Sequence, residues 1–284
     1  MLPGVESGEV GAIHRARVAS RRLRELLPVL ELDHDKARKL GRRLKKLTRS
    51  LGAIRELDVV LLLLDELRAS RRLPDAPLRR VTDSVRQERD DARARVHPKD
   101  VAADFKRVTK KLQRVAEELQ EVDRRSSGRR GWRWAIEARV ARRSATLKHA
   151  IREAGSMYVP ERVHQVRLAL KKLRYGVELS GEAAGLKMTS DLRALERWQE
   201  LLGRMRDRQM LMERVRRIQA SMEPPNLAVW RDLDALVMAL ENNCRRMHAR
   251  FVRDRGAIVA VCDRLGARAS KRELGHLVTG SSGR

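Results

Sequence analysis

The sequence predicts an all-α protein assembled from two related halves, and three observations carry that prediction. Apolar residues fill 42% of the 284 positions but aromatics only 3%. The apolar share therefore rests on Leu, Val and Ala, which suit helix packing, while strand-type runs are scarce. Charged residues reach 36%, as long helices with solvated faces require. A block near the start of the chain also recurs past its middle, the mark of an internal duplication.

A first helix is expected from about Ala12 to Leu30 and a second from about Asp33 to Leu51. In the second, Leu40, Leu44, Leu47 and Leu51 recur at spacings of four, three and four, which draws one buried stripe. A third runs through Leu57 to Leu67 and ends before Arg72-Leu73-Pro74. Pro74 and Pro77 open a fourth, which lasts to about Val96. A fifth covers about Val101 to Val122, with Phe105, Val108, Leu112, Val115 and Leu119 as its apolar face. The small and charged residues from Arg124 to Gly131 read as a loop. A helix from about Trp132 to Ala154 then leads, through Gly155 and Pro160, into one holding His164 to Leu179. Two separate helices are expected next, from about Thr189 to Gly203 and from about Arg206 to Met222. Glu223-Pro224-Pro225-Asn226 breaks the chain before a last segment, Leu227 to about Leu265. The expected organisation is a helical half over 1–123, a linker and connecting helix over 124–159, a second half over 160–270 and a disordered tail over 271–284. The four tryptophans, Trp132, Trp134, Trp198 and Trp230, are expected in core or interface positions.

Charge narrows the function. Lys and Arg number 64 against 38 Asp and Glu, a net charge of +26 and a pI near 11.3. Such an excess repels itself in a compact state and implies a negative partner. Nucleic acid, polyphosphate and an anionic membrane surface all qualify. Arginine dominates, and its planar fork grips phosphate oxygens in pairs, which favours a phosphate-bearing partner. Cys244 and Cys262 lack any metal-type spacing, so a reduced, cytoplasmic protein is expected. The longest apolar run, Val59 to Leu64, is too short to span a bilayer, and the N-terminus lacks the blocks of a signal peptide.

The duplication locates the candidate site. Ile13-His14-Arg15-Ala16-Arg17-Val18-Ala19-Ser20-Arg21-Arg22-Leu23-Arg24 returns as Val163-His164-Gln165-Val166-Arg167-Leu168-Ala169-Leu170-Lys171-Lys172-Leu173-Arg174. Downstream, Leu51-Gly52-x-x-Arg55-Glu56 is echoed by Leu202-Gly203-x-x-Arg206-Asp207. On a helix His14, Arg17, Arg21 and Arg24 fall within an arc of roughly 80°. His164, Arg167, Lys171 and Arg174 form the same stripe in the second copy, and Arg22 and Lys172 complete the basic pairs. Val18 and Leu168 flank the stripes at equivalent places, a hint of a groove between helices. The second helix adds Lys39, Arg42, Lys46 and Arg49 at spacings of three, four and three, with Lys45 alongside. Its counterpart keeps Arg193 and Arg197 but carries Glu196 and Glu200, so the first half should supply more of the attraction. Arg55-Glu56 and Arg206-Asp207 read as fold-holding ion pairs.

At these residues the chain resembles the CHAD domain family, the conserved histidine α-helical domain. The pattern H-x-x-R-V-x-x-R-R-L-R is met by His14 to Arg24, and L-H-x-x-R-x-x-x-K-x-L-R-Y, with Val163 for the first Leu, by Val163 to Tyr175. The LG-x-x-R-D element is met by Leu51 to Glu56, with Glu for Asp, and by Leu202 to Asp207. The resemblance implies two antiparallel four-helix bundles related by pseudo-two-fold symmetry, with basic helices lining a central groove. It also implies binding of inorganic polyphosphate and association with polyphosphate granules. Relatives fused to a triphosphate tunnel domain carry E-x-E-x-K, which is absent here.

No catalytic residue, metal or cofactor is expected. Glu161-x-x-His164 has the spacing of half a di-iron site, but the first half lacks a matching motif. P-loop, zincin, nucleophile-elbow and dinucleotide fingerprints are missing. Polyphosphate offers a flexible line of charge with no bases to read, and helices with a cation every three or four residues present one about every 5 Å. The rival readings are non-specific nucleic-acid binding, disfavoured by the shortage of stacking aromatics, and a granule scaffold that docks protein partners.

Overall fold

The computed structural model describes residues 9–30, 32–50, 52–95, 98–125, 131–185, 190–224 and 226–280. Within them the chain is all-helical: α1 (Val10–Leu26), a 3-10 turn (Leu27–Val29), α2 (His34–Ser50), α3 (Gly52–Ala69), α4 (Asp75–Ala94), α5 (Pro98–Arg125), α6 (Gly131–Ala154), α7 (Pro160–Ala184), α8 (Ser190–Ala220) and α9 (Leu227–Gly280). The chain divides into two compact units. The first holds Met1–Arg21, Arg42–Thr109 and Arg204–His248; the second holds Arg22–Gly41, Lys110–Gly203 and Ala249–Arg284. Each unit therefore draws on both copies of the repeat, and α1, α2, α5, α8 and α9 each contribute to both.

In the first unit α3 packs on α4. The turn between them is pinned by Arg68, which donates to Asp75 at 3.0 Å. Leu57, Val60, Leu64 and Leu67 of α3 meet Leu78, Val81 and Val85 of α4 in a buried core, at the three- and four-residue spacings of a helix stripe. Met205, Leu211 and Val215 of α8 and Leu233, Leu236, Leu240 and Cys244 of α9 are buried in the same unit.

In the second unit α6 packs on α7 and touches the 3-10 turn. Gly176 permits the close approach: a Cβ there would lie 3.4 Å from the Val140 side chain of α6. Gly185 ends α7 in the left-handed conformation (φ 65°), and its N–H donates to carbonyls of the last turn, the usual glycine stop. Val163, Val166, Leu170 and Leu173, the apolar side of the second repeat block, are buried, with Leu170 and Leu173 at 0% exposure. Leu170→Ala is expected to cost about 3 kcal/mol, the usual toll for a cavity at a sealed site. The midpoint of urea unfolding reads that loss.

Two helix boundaries differ from the sequence expectation. The segments from Thr189 to Met222 form one helix, Ser190–Ala220, which runs through Gly203. An internal glycine costs a helix only about 1 kcal/mol, and burial of Leu202 and Met205 on either side offsets that. The third helix begins at Gly52. The last continues to Gly280, because Leu274, Leu277 and Val278 extend a helix-forming pattern past the expected stop at Leu265 and into the stretch expected as a disordered tail. Trp134 and Trp230 are exposed, so of the expected core or interface placements the core does not apply to them. The expected loop from Arg124 falls mainly on 126–130, which lie outside the described residues, as do Leu51 and 281–284.

Candidate cationic site

The basic stripe of α1 starts at His14 and Arg17, whose side chains lie outside the described residues. Arg21 is half-buried, while Arg22 and Arg24 are exposed. Among the described residues neither Arg21 nor Arg24 has an ion-pair or hydrogen-bond partner for its side chain. Arg22 differs. Its guanidinium faces Glu178 at 3.4 Å and Glu182 at 3.3 Å, both on α7 and both in the second unit.

Glu178 is the point where the two copies of the repeat meet. It is 10% exposed and also pairs with Arg174, its neighbour one turn back on α7. Arg174 is further fixed by Gln199, which accepts its Nε–H at 2.7 Å, by Glu196 at 3.6 Å and by the Tyr175 ring at 4.7 Å. Arg22 of the first copy and Arg174 of the second thus converge on one shielded carboxylate. Glu25 does the same for Arg139, at 3.6 Å, and for Arg143, which donates onward to the Lys172 carbonyl at 2.5 Å. Desolvation by burial lowers the pKa of Arg139, and the neighbouring Arg143 adds to that, while Glu25 opposes it. These arginines hold α1, α6, α7 and α8 together in the second unit. Arg174, expected as a ligand contact, spends its Nε and Nη1 donors on that work.

The rest of the second stripe is shallower. His164, Arg167 and Lys171 are half-buried and interact with their surroundings, whereas the side chain of Lys172 is exposed. On α8, Arg193 and Arg197 are exposed and, among the described residues, meet no carboxylate.

Helix α2 presents the densest positive surface. Leu40 and Leu44 are buried, and the rest of the helix surface carries Lys39, Arg42, Arg43, Lys45, Lys46 and Arg49, all exposed. Lys46 pairs with Asp104 of α5 at 3.3 Å while staying 77% exposed. The other five have no carboxylate partner among the described residues. Arg43 was not among the expected residues, although it lies four residues after Lys39 and three before Lys46. Lys106, Lys110, Lys111 and Arg114 of α5 are likewise exposed without a described partner; their four-residue spacing was the overlooked signal.

The LG-x-x-R elements play different parts. Arg206 pairs with Glu213 at 2.9 Å. Asp58 reaches Arg93 of α4 at 3.9 Å, and Gln209, at the matching place, is buried.

Arg208 and His248 mark the interior of the first unit. Arg208, 3% exposed, donates to the Arg204 carbonyl at 3.1 Å, and burial lowers its pKa. His248 is 5% exposed, and burial lowers its pKa as well. Its folded pKa thus lies below the unfolded value of about 6.5, so acidification protonates the unfolded chain first. Stability is expected to fall as pH drops below about 6.5. His248→Gln should flatten that slope in urea midpoints measured from about pH 7 to pH 5.5, above the main carboxylate range.

Both cysteines are buried, and burial pushes the Cys262 thiol up to about 12, so it stays protonated. Among the described residues no cluster of His, Cys, Asp or Glu is suited to a metal ion, and no helix is long and apolar enough to cross a membrane.

Comparison with known proteins agrees with the architecture. The sequence profile of the CHAD domain family matches residues 2–216. The crystal structure of the CHAD domain from the plant Ricinus communis superposes with a TM-score of 0.54 at 20% identity, over 88% of this chain and 81% of that one. No curated protein matches the sequence.

Proposed function

Because this chain belongs to the CHAD domain family, a family linked to polyphosphate binding, we propose that it binds inorganic polyphosphate through its exposed helical cations and associates with polyphosphate granules in the cytoplasm. The observation that carries the reading is the split among the basic residues. Arg22 and Arg174 are consumed by internal carboxylates, while Arg21 and Arg24 of α1, Lys39, Arg42, Lys45 and Arg49 of α2, and Arg193 and Arg197 of α8 have no described counterion. Charges left uncompensated raise the free energy of the compact state, and a polyanion relieves that repulsion. His14, Arg17, His164, Arg167 and Lys171 belong to the same stripes and join the proposed contact set; Lys46 and Lys172 stand beside it.

The ligand's chemistry fits these helices. Each turn advances about 5 Å, so cations three and four residues apart give a flexible phosphate chain repeated contacts without demanding a base-stacking platform. The reaction is binding, with no bond made or broken. Binding releases counterions, as in nucleic-acid complexes, so affinity drops with salt.

A competition assay tests the ligand class. Long-chain polyphosphate carrying a fluorophore is bound to the full chain and challenged with unlabelled polyphosphate or duplex DNA at equal phosphate concentration. The reading expects polyphosphate to compete at least about tenfold better, because a flexible phosphate chain can follow the helical cations turn by turn, whereas a stiff duplex meets only those on one side. Equal displacement by DNA favours a general polyanion binder and removes the specificity.

A further inference from the structure

Among the described residues six large apolar side chains are exposed, and three of them, Leu227, Trp230 and Met238, lie close together at the start of α9. The neighbouring Leu233, Leu236, Val237 and Leu240 are buried in the first unit. At about 100° per residue, Leu227, Arg231, Asp234 and Met238 share an arc of roughly 60°, with Trp230 on its border. Arg231 is exposed and Asp234 half-buried, and neither side chain has an ion-pair or hydrogen-bond partner among the described residues. Scattered exposed apolar residues are ordinary on a protein surface, whereas a contiguous stripe marks an interface.

The stripe reads apolar, cation, anion, apolar at spacings of four, three and four residues. That order is its own complement. Laid antiparallel on a second copy, about a two-fold axis between Asp232 and Leu233, Leu227 meets Met238 and Arg231 meets Asp234, and each pair forms twice. The two Trp230 rings then fall on one edge of the helix pair, roughly 7 Å apart along it. A basic partner helix would answer Asp234 but set a like charge against Arg231; a second copy answers both.

The charge distribution favours the same place. Two chains of net charge +26 repel each other over most of their surface. From Glu223 to Cys244, however, the sequence has four acids, Glu223, Asp232, Asp234 and Glu241, and one cation, Arg231. Arg216 of α8 answers Glu241 at 2.7 Å, and Arg245 approaches it at 3.9 Å. The positive surface is thus interrupted where the apolar side chains stand out.

We propose that the start of α9 is a self-association surface on which two copies of this chain pair antiparallel. Leu227, Trp230 and Met238 supply its apolar contacts, and reciprocal Arg231–Asp234 pairs set its register. The inference does not depend on polyphosphate. The stripe is about 17 Å long and one helix wide, short of the ~800 Å² that each partner of a standard interface buries. The dimer is therefore weak, dissociating at roughly 10–100 μM. Salt screens the repulsion between the cationic copies, while two exposed ion pairs lose little. Association accordingly strengthens as salt rises, the reverse of polyphosphate binding.

Sedimentation equilibrium of the full chain without polyphosphate, over roughly 1–300 μM protein, tests the proposal. A monomer–dimer equilibrium that tightens at higher salt is expected. Arg231→Asp or Asp234→Arg alone sets like charges together twice and is expected to weaken the dimer about tenfold, while both together restore it to within about threefold. Met238→Ser leaves the charges alone and is expected to weaken it at least about fivefold; it carries the test if a charge reversal disturbs the fold. A chain that stays monomeric, assembly beyond the dimer, or a dimer unmoved by the folded single variants overturns the surface. A double variant as weak as the single ones overturns the reciprocal pairing.

Discussion

Replacing Arg42, Lys45 and Arg49 together by glutamate is expected to weaken polyphosphate binding about a hundredfold at physiological salt. The three share an arc of about 60° on α2 and span about 10 Å along it. All are exposed with no carboxylate partner among the described residues. Each reversal removes one attraction to the ligand and adds one repulsion, at roughly 1 kcal/mol per solvated site. The fold should tolerate the change, because the buried side of the helix, Leu40 and Leu44, is untouched. Isothermal titration at two salt concentrations reads both consequences: lower affinity and a shallower dependence of log K on log salt, since fewer counterions are released. Retained affinity would move the site off α2.

The second large effect is on stability. Glu178→Ala is expected to destabilise the chain by about 3–4 kcal/mol, because it strands Arg174, which is only 13% exposed, and frees Arg22. A shielded charge that loses its partner must be solvated or paired anew, and Glu196 at 3.6 Å offers only a partial substitute. Glu178→Gln keeps the shape and one acceptor, so it should lose less. Chemical denaturation followed by circular dichroism measures both. A loss below about 1 kcal/mol for the alanine variant would mean that Arg174 finds full compensation elsewhere. Arg174→Ala should likewise act through stability, unlike changes at Arg21 or Arg24.

The helices were legible because Leu, Val and Ala recur at three and four residues, as in Leu40–Leu44 and Leu170–Leu173. The repeat was legible because it is written in consecutive letters. Continuity through Gly203 was not, since a glycine ends a helix or sits within it according to what its neighbours bury, and that is a tertiary fact. Among the cations the sequence showed spacing but not occupancy. The Arg174–Glu178 pair lies four residues apart and was open to inspection. Arg22 with Glu178 and Glu182, Arg143 with Glu25 and Lys46 with Asp104 join residues distant in the chain, so only folding reveals which charges are already spent. Arg43 and the α5 cations carry the same three- and four-residue spacing as the α2 set, but spacing alone does not tell which charges stay exposed and unanswered.

The central claim is that phosphate goes to the cations the fold leaves without carboxylates. Crystals of the full chain grown with a short polyphosphate would show this directly. Phosphoryl oxygens within hydrogen-bond distance of Arg42 and Arg49, or of Arg21 and Arg24, with the Arg174–Glu178 pair intact, is the expected result. Density for phosphate elsewhere, with those four side chains turned to solvent, would contradict it.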